Sequence, residues 1–246
     1  MVSFETLGPR IIASFADGQI VVTESTVFGL IIAGIIAAAG IFLGSGLKTV
    51  PRGKQIAAEY IVEWIYNYTR ENMGKENEKF APYIGSLFAF ILCGSLLGLA
   101  GLRPVTADLN VTFALSGMTF ILIQFMGIRR LGVRGRLAEM MDPYPVVLPI
   151  KLLEEVTIPI SLSLRLFGNI LGGMIIVELW LALMEYLSSF VSDIPFLRAV
   201  TVLPLNGFFD MFEPVIQTYI FTMLTMVFLT TAMAGITSKG DAGSAQ

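Results

Sequence analysis

The chain has 246 residues, 55% of them hydrophobic and 14% charged, with a formal net charge of −3 and a mean hydropathy of +0.77. A soluble domain carries about 25% charged residues, so the composition excludes a chain soluble throughout and indicates an all-α, polytopic membrane protein forming a single membrane domain, 1–246. No length remains for a soluble catalytic module and neither phosphate-binding glycine motif occurs; histidine is absent, which removes histidine metal sites and leaves carboxylates, amides and water for any proton handling, and the single cysteine, Cys93, excludes intrachain disulfides and reads as a small hydrophobe.

Residues 1–22 are mixed and are expected at one membrane surface; with Glu5, Arg10 and Asp17 they lack the basic start and apolar core of a signal peptide. Residues 23–46 are an apolar run of 24 residues, enough to cross about 30 Å of hydrocarbon, followed by a basic turn with Lys48, Arg52 and Lys54. In 55–73, Ala57, Tyr60, Ile61, Trp64, Ile65 and Tyr68 share one helical face and Glu59, Glu63 and Arg70 the other, the pattern of an amphipathic helix lying on the membrane surface. The charged stretch KENEK, 75–79, reads as a solvated loop. Residues 82–102 and 110–128 are the next two transmembrane helices, joined by a turn with Arg103, Pro104 and Asp108, and the second ends in RRLGVRGR, 129–136.

The basic clusters after the first span, before the second and after the third fall on one side, which the positive-inside rule assigns to the cytoplasm. Arg10, Arg103 and Arg198 are left for the other side. This predicts an outer N-terminus and a cytoplasmic C-terminus.

The remaining helices, 148–188 and 199–236, are too long to stand upright. Each carries an apolar stretch of 38 residues, about 57 Å of straight helix, and an average tilt of about 20° does not absorb that excess. They are read as a hairpin of two long, strongly tilted or kinked helices, turning outward through Asp193 and Pro195, with Pro159, Pro204 and Pro214 as kinks.

Within the first of these, PISLSLRLFGNILGG, 159–173, places Arg165 deep in apolar sequence. An arginine at the bilayer centre costs at least about 2.5–3.5 kcal/mol. The nearest acids on the same helix, Glu155 and Glu178, are ten and thirteen positions away, about 15–20 Å along the axis. The counter-charge must come from another helix, another chain or a wet cavity, the usual mark of an ion pathway.

At about 100° per residue, Glu154, Ser161, Arg165, Asn169 and Gly172 lie near one line, with Gly168 beside it, and small residues there admit a second helix. Met174, Glu178, Leu181 and Glu185 lie on the opposite line, which predicts that Glu178 and Glu185 face the chain's own interior. On the last helix Asn206, Asp210, Glu213 and Gln217 share a line. Glu154 and Glu155 sit near the cytoplasmic start of their helix, and Asp210 and Glu213 nearer the outer end of theirs. A water-lined carboxylate path is expected along these faces.

The stretch PISLSLRLFGN, 159–169, resembles the signature of subunit a of F-type ATP synthases, and FDMFEPVIQTYIFTMLTMVFL, 209–229, is similar to that family's last helix. The similarity in layout covers nearly the whole chain. The resemblance implies a proton-translocating stator subunit with no active site or cofactor of its own. Its partners would be a ring of c subunits, b-type peripheral stalk subunits, the rest of the complex and the lipid bilayer, with no nucleic acid, in a bacterial plasma (inner) membrane. Two half-channels would load and unload c-subunit carboxylates with H⁺ or Na⁺. Arg165 would then be the essential stator arginine; Asn169, Gln217 and Asp210 match polar channel lining, Glu154 and Glu155 an acidic pair, and Ser161, Gly168 and Gly172 rotor-facing packing. Many members carry an acid or histidine nine residues after the arginine, where this chain has Met174. Glu178 is a candidate substitute, with Asp210 and Glu213 supplying the rest of the outer path. A secondary transporter is the rival reading, but its internal repeat is not found; a purely structural membrane subunit is the other.

Overall fold

The computed structural model describes residues 11–15, 20–45, 53–141, 144–190 and 195–234. Glu5, Arg10, Asp17, Lys48, Arg52, Asp193 and the expected end of the last helix at 236 lie outside them. Five helical stretches are long and apolar enough to cross a membrane, Glu24–Gly44, Lys75–Ala100, Leu109–Met141, Leu148–Ser189 and Phe196–Met233. The chain is an all-α membrane protein. Its only described sheet is a short antiparallel hairpin, β1 (Ile11–Phe15) with β2 (Ile20–Thr23), in the stretch the sequence left unassigned. The chain forms two compact units. One comprises the described parts of Met1–Gly46, Leu87–Thr112 and Arg165–Tyr219, the other those of Leu47–Ser86, Phe113–Leu164 and Ile220–Gln246.

In the first unit, helix α1 (Glu24–Gly44) starts at Thr23, whose Oγ1 accepts from the Thr26 amide at 3.3 Å, satisfying one of the first-turn donors. Only Ser25, Gly29 and Ile32 of α1 are buried, so nearly all of its apolar surface faces outward, as a lipid-facing span requires. The Thr23 hydroxyl also donates to Asp108 Oδ2 at 3.2 Å, tying the helix start to the turn Val105–Ala107. Burial pulls the guanidinium of Arg103, just before this turn, below the ordinary arginine range, opposed by Asp108 and then Glu24.

In the second unit, helix α2 (Lys54–Met73) buries Tyr68, Thr69 and Met73 and exposes Tyr60, Ile61, Val62 and Trp64. The KENEK stretch is not a loop: Lys75–Phe80 is a 3₁₀ turn that leads into α3 (Ala81–Ser95). Asn77 donates to the Met73 carbonyl at 2.9 Å, and Arg70 pairs with Glu78 at 2.7 Å, so an amide caps the helix junction and an ion pair braces it. Helix α4 (Leu109–Met141) runs thirteen residues past the expected end at 128 and breaks at Gly132, whose φ of 70° belongs to the left-handed region. The core gathers Tyr68, Phe80, Ile84, Ile123, Met226 and Leu229. Hydroxyl pairs, Tyr68 with Thr222 at 3.3 Å and Tyr83 with Thr119 at 2.9 Å, join helices in this unit, the polar glue expected where apolar burial alone gives no preference for protein over lipid.

Helix α5 (Leu148–Ser189) is continuous over 42 residues with Pro159 inside it. The last stretch comprises α6 (Phe196–Asn206), a π-helical segment Gly207–Phe212 and α7 (Glu213–Ala234). The π segment has a local cause. Pro214 cannot donate to the carbonyl of Asp210, and its ring would collide with that carbonyl in a regular helix; a wider turn relieves both.

Candidate functional site

Helix α5 is divided lengthwise by its burial. Leu162, Leu166 and Ile170 are buried, as is Gly173, whereas Glu154, Ser161, Arg165, Gly168 and Asn169 are exposed and Gly172 is half-buried. The predicted polar line therefore lies on the side this chain leaves uncovered. Among the described residues, none forms an ion pair or hydrogen bond with the Arg165 guanidinium.

The expectation for Glu178 and Glu185 is corrected. Both are exposed, and Glu185 is ion-paired with Arg198 at the start of α6. The reason is that the packed ridge of Leu162, Leu166, Ile170 and Gly173 lies about a quarter turn from Arg165 rather than opposite it. Residues on the far line consequently emerge on the other exposed edge of α5.

Within the first unit the structure brings together most of the remaining predicted groups. Asn169 Nδ2 donates to Gln217 Oε1 at 2.8 Å. Gln217 is 3% exposed, and its Nε2 is buried with no hydrogen-bond partner among the described residues. Asp210 and Glu213 are half-buried, but they do not share one neighbour, as the single line on a regular helix implied. The π segment changes the register between them. Asp210 lies against Gly98 of the 3₁₀ turn Leu96–Ala100, with Oδ1 3.2 Å from where a Cβ would stand. Glu213 lies against Gly173, with Oε2 3.2 Å from the corresponding position and Phe209 Cδ1 2.8 Å from it. Each carboxylate is thus seated over a glycine, and neither seat is visible from one-dimensional periodicity.

Glu154 and Glu155 belong to the second unit, where they line a cavity of about 300 Å³ with Gln124, Arg136, Glu139 and Lys151. Glu155 is held on both oxygens: Arg136 Nη2 lies 2.5 Å from Oε1, and Gln124 Nε2 donates to Oε2 at 2.8 Å. Arg136 Nη1 pairs with Glu139 at 2.8 Å. Sequence reasoning treated Arg136 only as one of a basic cluster and passed over Gln124. The available signal was a glutamine on an otherwise apolar helix and a glycine four residues before the arginine.

The match to known proteins runs through the residues described above. The family model described as ATP synthase A chain matches residues 26–230. ATP synthase subunit a of Moorella thermoacetica is 37% identical over 213 residues, 86% of this chain and 91% of that protein. The Sulfurihydrogenibium sp. subunit is 34% identical over 75% of this chain and 84% of its own length, and a Bradyrhizobium sp. protein named ATP synthase subunit a 2 is 31% identical over 92% and 95%. The chain belongs to the subunit a family of F-type ATP synthases.

Proposed function

We propose that this chain is the stator subunit that conducts ions through two half-channels to and from a ring of c subunits, with Arg165 as the fixed cation between them. The observation that carries this reading is an arginine inside an apolar helix, exposed on its own chain and without a counter-charge among the described residues. A guanidinium so placed favours the ionised form of a carboxylate brought near it. Each passing c-subunit carboxylate releases its ion on approach and takes one up on departure. The same positive charge opposes a cation moving directly from one path to the other.

One path is assigned to Asn169, Gln217, Asp210 and Glu213, the other to Glu154 and Glu155. Ser161, Gly168 and Gly172 form the small-residue surface against which the rotor turns. Glu178 is exposed on another edge of α5, and the carboxylate of Glu213, which lies beside Gly173, is the better candidate for the group missing at Met174. The subunit catalyses no bond change itself. A membrane potential of 100 mV supplies about 2.3 kcal/mol per charge, so several ions must pass for each ATP made on partner chains. The lengths of α5 and of 196–234 exceed the hydrocarbon thickness about twofold, which supports an inclined course around the ring. The b-type stalk subunits, a bacterial plasma membrane location and an outer N-terminus with a cytoplasmic C-terminus complete the proposal.

The test is the Arg165→Ala complex. It is expected to assemble but to lose ATP-driven ion pumping and ion-driven ATP synthesis. Pumping at the parent rate would refute the channel reading, and failure of the complex to form would favour a structural role for the arginine. Stimulation of ATP hydrolysis by Na⁺ distinguishes a sodium-driven complex from a proton-driven one.

A further inference from the structure

We propose that Gln124, Arg136 and Glu155 form the fixed wall of a water-filled vestibule for the conducted cation, with Arg136 as a positioning residue and Glu154 as the carboxylate at which the cation exchanges. This rests on the channel reading above and concerns the second unit alone. Three carboxylates and two cations line the cavity of about 300 Å³: Glu139, Glu154 and Glu155, with Arg136 and Lys151. The segment of α7 that closes it contributes Val227, Phe228, Thr231 and Ala232 and no charge.

The charges are not equivalent. Both oxygens of Glu155 are occupied, by Arg136 and by Gln124. Glu139 is paired with the other arm of the same guanidinium, and its backbone carbonyl accepts from Lys151 Nζ at 3.0 Å. Glu154 is exposed and makes no hydrogen bond or ion pair among the described residues. An ion entering the cavity meets Glu155 only by breaking two contacts, one of them a charge-assisted bond to a planar fork. It meets Glu154 directly.

Arg136 is delivered to this position by two glycines. The left-handed φ of 70° at Gly132 turns the last part of α4. The arginine then lies over Gly127, where a Cβ would stand 3.2 Å from Nε. Its side chain is only 13% exposed. A guanidinium buried to that degree is held by its bridge between two carboxylates, and such a pair fixes geometry more than it adds stability. The bridge therefore acts as a latch that keeps Glu155 in the wall and the vestibule open beside Glu154.

The experiment uses the assembled complex in inverted vesicles, reading ions pumped per ATP hydrolysed. Arg136→Gln is expected to lower that ratio at least tenfold at a normal amount of complex, because Glu155 swings into the vestibule uncompensated. Arg136→Lys recovers part of it by holding one carboxylate. Arg136→Gln combined with Glu155→Gln exceeds the single Arg136→Gln variant, since both halves of the pair are removed together. Parent-level pumping by Arg136→Gln, or a double variant no better than the single, overturns the latch. If Arg136→Gln does not assemble, Glu154→Cys in a Cys93→Ser background decides: a small, charged, membrane-impermeant thiol reagent on the cytoplasmic face must label Cys at 154, and absence of labelling means a dry or lipid-filled cavity and overturns the vestibule. Failure of the channel reading itself shows separately, as undiminished pumping by Arg165→Ala.

Discussion

The seat of Glu213 gives the sharpest steric prediction. Gly173 has no side chain, and a Cβ there would stand 2.8 Å from Phe209 Cδ1 and 3.2 Å from Glu213 Oε2. Carbon atoms in contact prefer about 3.5–4.0 Å, so Gly173→Ala demands roughly 0.7–1.2 Å of movement from the ring and a few tenths of an ångström from the carboxylate. Overpacking of this kind costs about 1–3 kcal/mol. The complex is therefore expected to assemble in somewhat reduced amount. The functional effect is larger, because the ring that must move lies one helical turn before Glu213 and shifts the carboxylate with it, and displacing a reacting group by about 1 Å can cost about 10²-fold. If Glu213 carries ions, pumping per assembled complex falls roughly ten- to a hundred-fold. Glu213→Asp withdraws the carboxylate by one methylene and opens the space again, so the double variant Gly173→Ala with Glu213→Asp should pump better than Gly173→Ala alone. The assay is ATP-driven pumping in inverted vesicles, normalised to ATP hydrolysis and to the amount of complex. Undiminished pumping by Gly173→Ala, or a double variant with no recovery, would refute the assignment of Glu213 to the path.

Three further outcomes follow from individual contacts. Gln217→Leu removes a buried amide whose Nε2 has no partner among the described residues and leaves Asn169, which is exposed, to bond water; stability should change by less than about 1 kcal/mol while pumping falls sharply, a separation visible by comparing thermal midpoint with flux. Gly132→Ala forces a side chain into a backbone with φ of 70° and ψ of 166°, a region kept almost wholly to glycine, at about 1–3 kcal/mol, so both the thermal midpoint of the complex and its pumping should drop. Thr23→Val removes the α1 cap and a partner of buried Asp108 at about 0.5–2 kcal/mol, lowering the midpoint with little effect on pumping per assembled complex.

The spans were legible in the sequence because a transmembrane helix is written in one dimension, as length and apolarity. Arg165 was legible for the same reason: its oddity is local. That residues 55–73 form a helix was legible likewise, since an amphipathic pattern needs only a period of 3.6. What escaped was set by register and by return of the chain on itself. The π segment before Pro214 alters the phase of everything preceding it, so Asp210 and Glu213, collinear on a regular helix, meet Gly98 and Gly173 of different elements. Gly132 hides a break inside what reads as a basic tail, and with it the arrival of Arg136 beside Glu155. Glu178 was misassigned because opposition to Arg165 was taken for the interior, whereas the interior of α5 is chosen by where Leu162, Leu166 and Ile170 find partners.

A chain that exposes its one deep arginine raises an energetic question that packing within the chain does not answer. Left against lipid, the guanidinium of Arg165 would cost at least about 2.5–3.5 kcal/mol, and Asn169 beside it would add the penalty of an incompletely bonded amide. The uncovered line also carries Ser161, Gly168 and Gly172, which offer lipid little contact surface but let a second backbone come close. Both features point to the same covering: a helical partner that brings a carboxylate. Such a partner cannot hold the carboxylate there permanently if ions are to be exchanged, so the arginine's counter-charge must arrive and leave. The proposed rotor satisfies both requirements, and it makes the exposed face a consequence of function rather than a defect of the fold.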